Sequence, residues 1–333
     1  RPGRGVHLRA ASVGMTALPK LVIVADVPPQ WAGSPQFDRL RSFTDATLYP
    51  DLPDDDADQV RRVRDAVAVI SPVRVKWTEE TLAQLPNLRL IVLVAIGTDS
   101  VDLEPARRYG ISVCNVPGRT APVVAEHALA LMLAAARKLP DETANVKAGL
   151  WKVRRTVLLR GRTLGVIGTG HIGAATARLA KAIGMEVVAW TLNPSPEREA
   201  QLGLRFAPLD EVLQTADVVS LHTRLTERTR HLIGNRELAL MKDGVILVNV
   251  ARGGVVDNIA LAEALASGKL GGAGLDVFDE EPIPPGHPLL SCENVVLTPH
   301  VADNTPEGME FLNEGAVDAV EAFLAGSPIN VVN

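Results

Sequence analysis

Between residues 161 and 189 the chain reads GRTLGVIGTGHIGAATARLAKAIGMEVVA: an apolar strand, a glycine turn, an alanine-rich helix and a second apolar strand. No other stretch constrains the fold so tightly. Gly168, Gly170 and Gly173 fall as G-x-G-x-x-G at the strand-to-helix join. The first glycine permits a tight turn, the second lets the backbone approach a pyrophosphate, and the third lets helix and strand pack closely. A helix that begins near His171 presents the N–H groups of its first turn, from His171, Ile172 and Gly173, together with the positive end of its dipole. Three glycines at this spacing are a weak signal alone. Set between a buried strand and a long helix, they predict a dinucleotide site, against the plainer alternative of a glycine-rich βα turn that binds nothing.

Strand-like and helix-like segments alternate along nearly the whole chain, which points to parallel α/β architecture. Strands are expected over 21–25, 66–70, 88–94 and 111–116, with helices over 37–42, 56–64 and 79–85 between them. A helix over 123–137, in the run APVVAEHALALMLAAARK, is apolar on too many sides for a surface helix and is expected to be buried between domains or subunits. Beyond the glycine turn, strands are expected over 186–190, 218–222, 245–250, 272–277 and 295–298. Helices are expected over 209–215, 237–241 and 258–267. Met309, Leu312, Ala316, Val320 and Phe323 recur at helical steps over 306–326. A nucleotide-binding unit in mid-chain, flanked by α/β sequence, implies a discontinuous outer domain. The expected division is 15–114 with 302–333 for the outer domain and 115–301 for the dinucleotide-binding domain. Residues 1–14 are expected to be a disordered extension.

Composition narrows the function classes. With 34 basic against 39 acidic side chains and no basic block, nothing invites a nucleic acid. The two cysteines, Cys114 and Cys292, are far apart in apolar runs, which suits a reducing, cytoplasmic compartment. No apolar run approaches membrane-spanning length, and no His, Cys or carboxylate cluster has metal-ligand spacing. The acidic run DLPDDDAD near residue 54 reads as a solvated helix cap.

Polar residues end three of the buried strands. NVARGG puts Arg252 after one, LDVFDEEP puts Asp276, Asp279, Glu280 and Glu281 after the next, and LTPH puts His300 after the last. In a doubly wound sheet the carboxyl ends of the strands face the ligand crevice, so an arginine, an acid and a histidine converge on the edge that carries the glycine turn. His127, His171, His222 and His231 are expected to be structural, and Asp279 and Glu280 solvated.

The motifs AIGTDSVDL, VPGRTAPVVAEHALALMLA, GTGHIG, LVNVARGGVVDNIALAEAL, GAGLDVFDEEP and LTPH, in this order, resemble the D-isomer-specific 2-hydroxyacid dehydrogenases. The likeness runs from about Val69 to Asn333, more loosely from Leu21. It implies a Rossmann-type doubly wound sheet inserted in a smaller, flavodoxin-like α/β domain. It implies hydride transfer between a nicotinamide cofactor and a small 2-keto or D-2-hydroxy acid of the glyoxylate, hydroxypyruvate or phosphoglycerate class. His300 matches the family's acid/base histidine, whose ordinary pKa suits that work. Glu281 matches its partner carboxylate. Arg252 matches the arginine whose guanidinium fork binds the substrate carboxylate. Asp276 and Ala251 match residues near the nicotinamide. Ile96 and Gly97 match the turn whose backbone N–H groups hold the substrate carboxylate. Arg74 lies in a loop that lines the substrate pocket in relatives, and could equally be a surface charge. Relatives pair as homodimers through the 123–137 helix and the arm that follows it to about residue 152. The chain stops short of the regulatory domain of some phosphoglycerate dehydrogenases, so allostery of that kind is not expected.

Cofactor choice departs from the pattern. The strand EVVAW should end in an acid that binds the adenosine ribose hydroxyls and repels a 2′-phosphate. Thr191 stands there instead, followed by Leu192 and Asn193, and no arginine follows immediately. NAD is the first expectation and NADP the close alternative, with Arg224, which replaces a common proline, as the candidate near the adenosine end. Two other readings compete. One is a non-catalytic dinucleotide-sensing protein, corepressor-like, of the same fold. The other is a formate dehydrogenase, which Glu281 opposes because that site carries a glutamine.

Overall fold

The computed structural model describes residues 18–333, so the expected extension at 1–14 lies outside the described residues. The chain forms two compact units. One runs to Arg119 and resumes over Thr305–Asn333; the other spans Thr120–Asn304. The breaks fall a few residues beyond the expected 114/115 and 301/302.

The first unit opens with β1 (Lys20–Ile23), α1 (Pro35–Arg41), β2 (Asp45–Leu48), α2 (Asp56–Val63), β3 (Ala68–Ser71), α3 (Glu79–Leu82), β4 (Leu90–Leu93), α4 (Leu103–Arg108) and β5 (Ser112–Cys114). Its five strands lie in the order β2-β1-β3-β4-β5 and pair in parallel throughout, the flavodoxin-like arrangement. β3 and β4 are buried along their whole length. They are accordingly near-continuous apolar runs, as strands covered on both faces must be. β2 alternates between exposed and half-buried positions at the sheet edge, which leaves no apolar run to betray it. The acidic run does cap α2: Asp55 accepts the Asp58 N–H at 2.8 Å. Asp58, however, is buried and ion-paired with Arg61 and Arg62 rather than solvated.

The second unit comprises α5 (Ala121–Arg137), α6 (Leu139–Lys147), β6 (Thr163–Ile167), α7 (His171–Ala182), β7 (Glu186–Trp190), α8 (Pro196–Leu202), β8 (Arg205–Phe206), α9 (Leu209–Thr215), β9 (Val218–Leu221), α10 (Asn235–Leu240), β10 (Val245–Asn249), α11 (Asn258–Ala266), β11 (Leu270–Leu275) and β12 (Val295–Leu297). Its seven strands, in the order β12-β11-β10-β9-β6-β7-β8, form a parallel, doubly wound sheet of Rossmann type. Winding reverses between β6 and β9, so the ligand crevice is expected at the carboxyl end of β6, where the glycine turn sits.

The apolarity of α5 is used inside this unit. The helix packs on α7, β10 and β11. The face of β11 is cut away to admit it: a Cβ on Gly274 would lie 2.8 Å from Cβ of Leu131. Leu131 and Met132 are fully buried there, each stabilising by about 1.5–3 kcal/mol. One face of the helix, with Leu131 and Met132, is thus covered by the sheet and helix of its own unit, while Leu133 on the other face remains exposed. The last helix, α12 (Pro306–Leu324), returns to the first unit. It buries Leu312, Ala316 and Val320 against Leu90, Val92 and Val116.

Candidate active site

Two of the three glycines are dictated by packing. Gly168 has φ 98°, and a Cβ there would stand 2.8 Å from the His222 carbonyl carbon. A Cβ on Gly173 would stand 2.0 Å from the Gly168 carbonyl oxygen. Gly170 differs: its Cβ would meet nothing within 4 Å. The open space over Gly170 is what a pyrophosphate needs in order to approach the backbone. The first bond of α7 runs from the Ala174 N–H to the Gly170 oxygen at 2.9 Å, so the N–H groups of His171, Ile172 and Gly173 precede the helical ladder. These residues fit a dinucleotide.

Around the turn, Thr191 is half-buried just past β7. Ala251 is buried after β10, its N–H bonded to Asn249 Oδ1 at 3.0 Å. His222 holds Ser220 Oγ at 2.8 Å, and burial pushes its pKa down to about 3, so it stays neutral. Arg224 is exposed after β9. One residue escaped the sequence reading: Arg198, on α8, reaches back so that Nη2 donates to the Thr169 carbonyl at 2.8 Å and lies 3.4 Å from Thr169 Oγ1. The only signal for it was an arginine in the first turn of a short helix that the sequence reading passed over.

His300 sits in a loop that a buried acid holds. Its φ of 53° is in the left-handed region, which costs a non-glycine residue about 1–2 kcal/mol. The Asp276 carbonyl accepts the His300 N–H at 2.8 Å. The Asp276 carboxylate, 1% exposed, takes the Thr298 hydroxyl at 2.6 Å and the N–H groups of Val301 and Ala302 at 2.9 and 3.0 Å. His127, on α5, completes the cluster, with Nε2 3.0 Å from Thr298 Oγ1 and 3.5 Å from Asp276 Oδ1. Burial opposes the Asp276 charge. Hydrogen bonds from His127, Thr298 and the two N–H groups outweigh it and hold the carboxyl below its ordinary range. Asp276 thus faces the loop that carries His300, a role that the sequence reading did not foresee for it or for His127.

His300 Nδ1 lies 2.6 Å from Glu281 Oε2, while Glu281 Oε1 accepts the Phe278 N–H at 2.9 Å. The bond to Glu281 raises the His300 pKa above its ordinary value. Burial and the Arg252 charge oppose this, and the Glu281 charge adds to it. Burial works against the Glu281 carboxylate, yet bonds from His300 and Phe278, with the charges of His300 and Arg252, hold its pKa down. With Nδ1 donating to Glu281, Nε2 is the nitrogen left to exchange a proton. Arg252 enters by close backbone packing: a Cβ on Gly253 would stand 1.9 Å from the Phe278 carbonyl carbon. Only glycine there lets the turn bearing Arg252 lie on the loop bearing Glu281. The second unit therefore brings His300, Glu281, Arg252 and Asp276 together. Asp279 and Glu280 are exposed.

The remaining candidates belong to the first unit. Arg74 is exposed after β3. Ile96 and Gly97 follow β4, and the Ile96 carbonyl is fixed by Asn115 Nδ2 at 2.6 Å. Among the described residues no His, Cys or carboxylate group is clustered to hold a metal ion, and no helix is long and apolar enough to cross a membrane.

Residues 129–302 match the family model described as D-isomer specific 2-hydroxyacid dehydrogenase, NAD binding domain. The chain is 42% identical over 281 residues to a glyoxylate reductase of Korarchaeum cryptofilum, covering 82% of this chain and 85% of that one. It is 44% identical over 236 residues to a hydroxypyruvate reductase of Thermotoga maritima, covering 70% and 76%. The crystal structure of D-lactate dehydrogenase from Aquifex aeolicus, complexed with NAD and lactic acid, superposes with a TM-score of 0.78 at 32% identity, covering 92% of this chain and 96% of that one.

Proposed function

Because the chain belongs to the D-isomer-specific 2-hydroxyacid dehydrogenases and is thus a nicotinamide-dependent oxidoreductase of 2-hydroxy acids, we propose that it reduces glyoxylate or hydroxypyruvate, with His300 as its acid. The observation that carries this reading is the 2.6 Å pairing of His300 with Glu281, beside an arginine whose charge acts on both. When bound, the nicotinamide supplies the hydride. The protein supplies the proton and the grip. His300, kept charged by Glu281, gives its Nε2 proton to the keto oxygen; in the reverse direction the neutral ring accepts the hydroxyl proton. Arg252 binds the substrate carboxylate through two parallel N–H donors and draws charge from the neighbouring oxygen. Asp276 orients His300 through the loop.

In the first unit, the backbone N–H groups of Ile96 and Gly97 and the Arg74 guanidinium have the chemistry to hold an anionic end of the substrate. That unit is the substrate domain in this reading. A non-catalytic sensor is not favoured, since the related proteins named above are reductases and a dehydrogenase. The apolar side chains that follow α5 support a homodimer: Leu139 is 52% exposed, Val146 57%, Trp151 87%, Val153 91% and Leu158 70%. An exposed apolar run of this kind marks an association surface, and a second copy of the chain is its proposed cover. Two free cysteines suit the cytoplasm.

The test is a panel of 2-keto acids assayed with NADH and NADPH in parallel, on the wild type and on His300→Ala. Turnover of glyoxylate or hydroxypyruvate that falls about two to four orders of magnitude in the variant is expected. Near-normal turnover in a folded His300→Ala protein refutes the assignment.

A further inference from the structure

We infer that Arg198 determines cofactor choice by receiving the 2′-phosphate of NADP(H), so that the enzyme accepts the phosphorylated dinucleotide. The inference rests on the nicotinamide-dinucleotide reading above and adds a residue to it. In a doubly wound sheet the adenosine ribose lies beyond the carboxyl end of the strand next to the glycine turn, and an acid there selects against a 2′-phosphate. That strand is β7, paired with β6 along its length. The residue after it is Thr191, neutral and half-buried. The repulsive charge is missing.

A positive charge takes its place. Arg198 Nη2 holds the carbonyl and hydroxyl of Thr169, the residue between Gly168 and Gly170. The guanidinium is therefore fixed to the phosphate-binding turn from the β7 side. Its contacts use one terminal nitrogen, and a guanidinium carries five N–H donors in all, so Nη1 and Nε keep the capacity to bind an oxyanion. Of the acids beside it in sequence, Glu199 is engaged elsewhere, accepting the Phe206 N–H at 2.9 Å. Two other arginines of the unit are committed to ion pairs, Arg205 with Glu211 and Arg162 with Asp217. Among the described residues Arg198 is paired with no carboxylate. Arg224, the arginine expected near the adenosine end, has no comparable contact with the turn in the structure.

Calorimetric titration of the purified enzyme with 2′,5′-ADP, 5′-AMP, NADH and NADPH tests this without turnover. Arg198→Ala is expected to weaken 2′,5′-ADP and NADPH by about 10- to 100-fold, the worth of hydrogen bonds to a charged group. It should change 5′-AMP and NADH by less than about threefold. Arg198→Lys, which keeps the charge and loses the fork, should fall between, and Thr191→Asp should weaken NADPH selectively by restoring the repulsion. Equal losses for all four ligands would mean that Arg198 only props the turn, and would overturn the inference. So would an unchanged Arg198→Ala protein, or a selective loss in Arg224→Ala instead. If the folded wild type binds NADH and NADPH not at all, the dinucleotide reading itself falls, and this inference with it.

Discussion

Asp276→Asn should damage the protein more than any other isosteric change at the site, and its cost can be worked out from the contacts. The carboxylate serves the Thr298 hydroxyl and the Val301 N–H through Oδ1, and the Ala302 N–H through Oδ2. An asparagine can keep its oxygen on the first pair. Its amide then points a donor at the Ala302 N–H, which is buried. A buried donor left without a partner costs about 1–3 kcal/mol. The two surviving bonds lose their charge assistance, roughly half their strength. Against this, the neutral amide escapes the burial penalty that opposes the carboxylate. The net expectation is about 2–3 kcal/mol, a large share of the 5–15 kcal/mol typical of a folded domain. The same bonds hold His300 at φ 53°, so the loop should relax and turnover fall about 100-fold, the usual cost of misplacing a reacting group by about 1 Å. Urea denaturation of the apo protein gives the first number and steady-state kinetics the second. Asp279→Asn, an exposed acid of the same loop, is the control and should stay within about 0.5 kcal/mol. If Asp276→Asn matches that control in both assays, the buried carboxylate does not hold the loop and the argument fails.

Other consequences are as direct. Glu281→Gln removes the group that raises the His300 pKa, while burial and Arg252 still push it down. Reduction needs the charged ring, so the pH at which kcat/KM for reduction declines should move to lower pH, and the rise of the oxidation rate should move with it. An unshifted pair of profiles would sever Glu281 from the acid. Gly173→Ala would place a methyl 2.0 Å from the Gly168 oxygen, so the turn must open; NADH affinity measured by fluorescence titration should drop at least tenfold, and normal affinity would show that the turn does not hold the cofactor. Trp151→Glu puts a charge in the exposed arm and should shift sedimentation equilibrium at micromolar concentration from dimer towards monomer; a wild type that is already monomeric disproves the pairing.

What could be read from the chain follows the sheet. Strands buried on both faces, such as LIVL in β4 and VILVN in β10, have to be apolar throughout, so they announce themselves, and their order carries the flavodoxin-like and Rossmann-type topologies with it. Elements with little to bury left no such trace. The edge strands β2 and β8 expose half their residues or more than bury them, and α6 and α8 bury none. The apolarity of α5 was visible, but not which element its buried face would meet, because a helix cannot say from its own sequence which sheet or helix covers it. Glycines at Gly272 and Gly274 in β11 were the available sign: a strand that gives up side chains on one face is making room for a close neighbour.

The site divides along the same physical line. Arg252, Glu281 and His300 were legible because each follows an apolar strand of the parallel sheet, which must deliver the ends of its strands to one edge. The contacts of Asp276 and Arg198 were not, because they depend on the direction in which each side chain turns. Asp276 ends a strand like the others, yet its carboxylate turns inward to three donors, Thr298, Val301 and Ala302, with His127 of α5 3.5 Å away, and sequence spacing cannot tell an inward acid from one that faces a ligand. Arg198 is separated from β7 by a turn, and only the return of α8 brings its guanidinium onto Thr169. Residues that do chemistry are set by where the backbone ends; residues that aim or select are set by where side chains return, and those contacts are tertiary. On the inference drawn above, cofactor choice is of the second kind: the neutral Thr191 could be noticed at once in the sequence, while the contact of Arg198 with Thr169 could not.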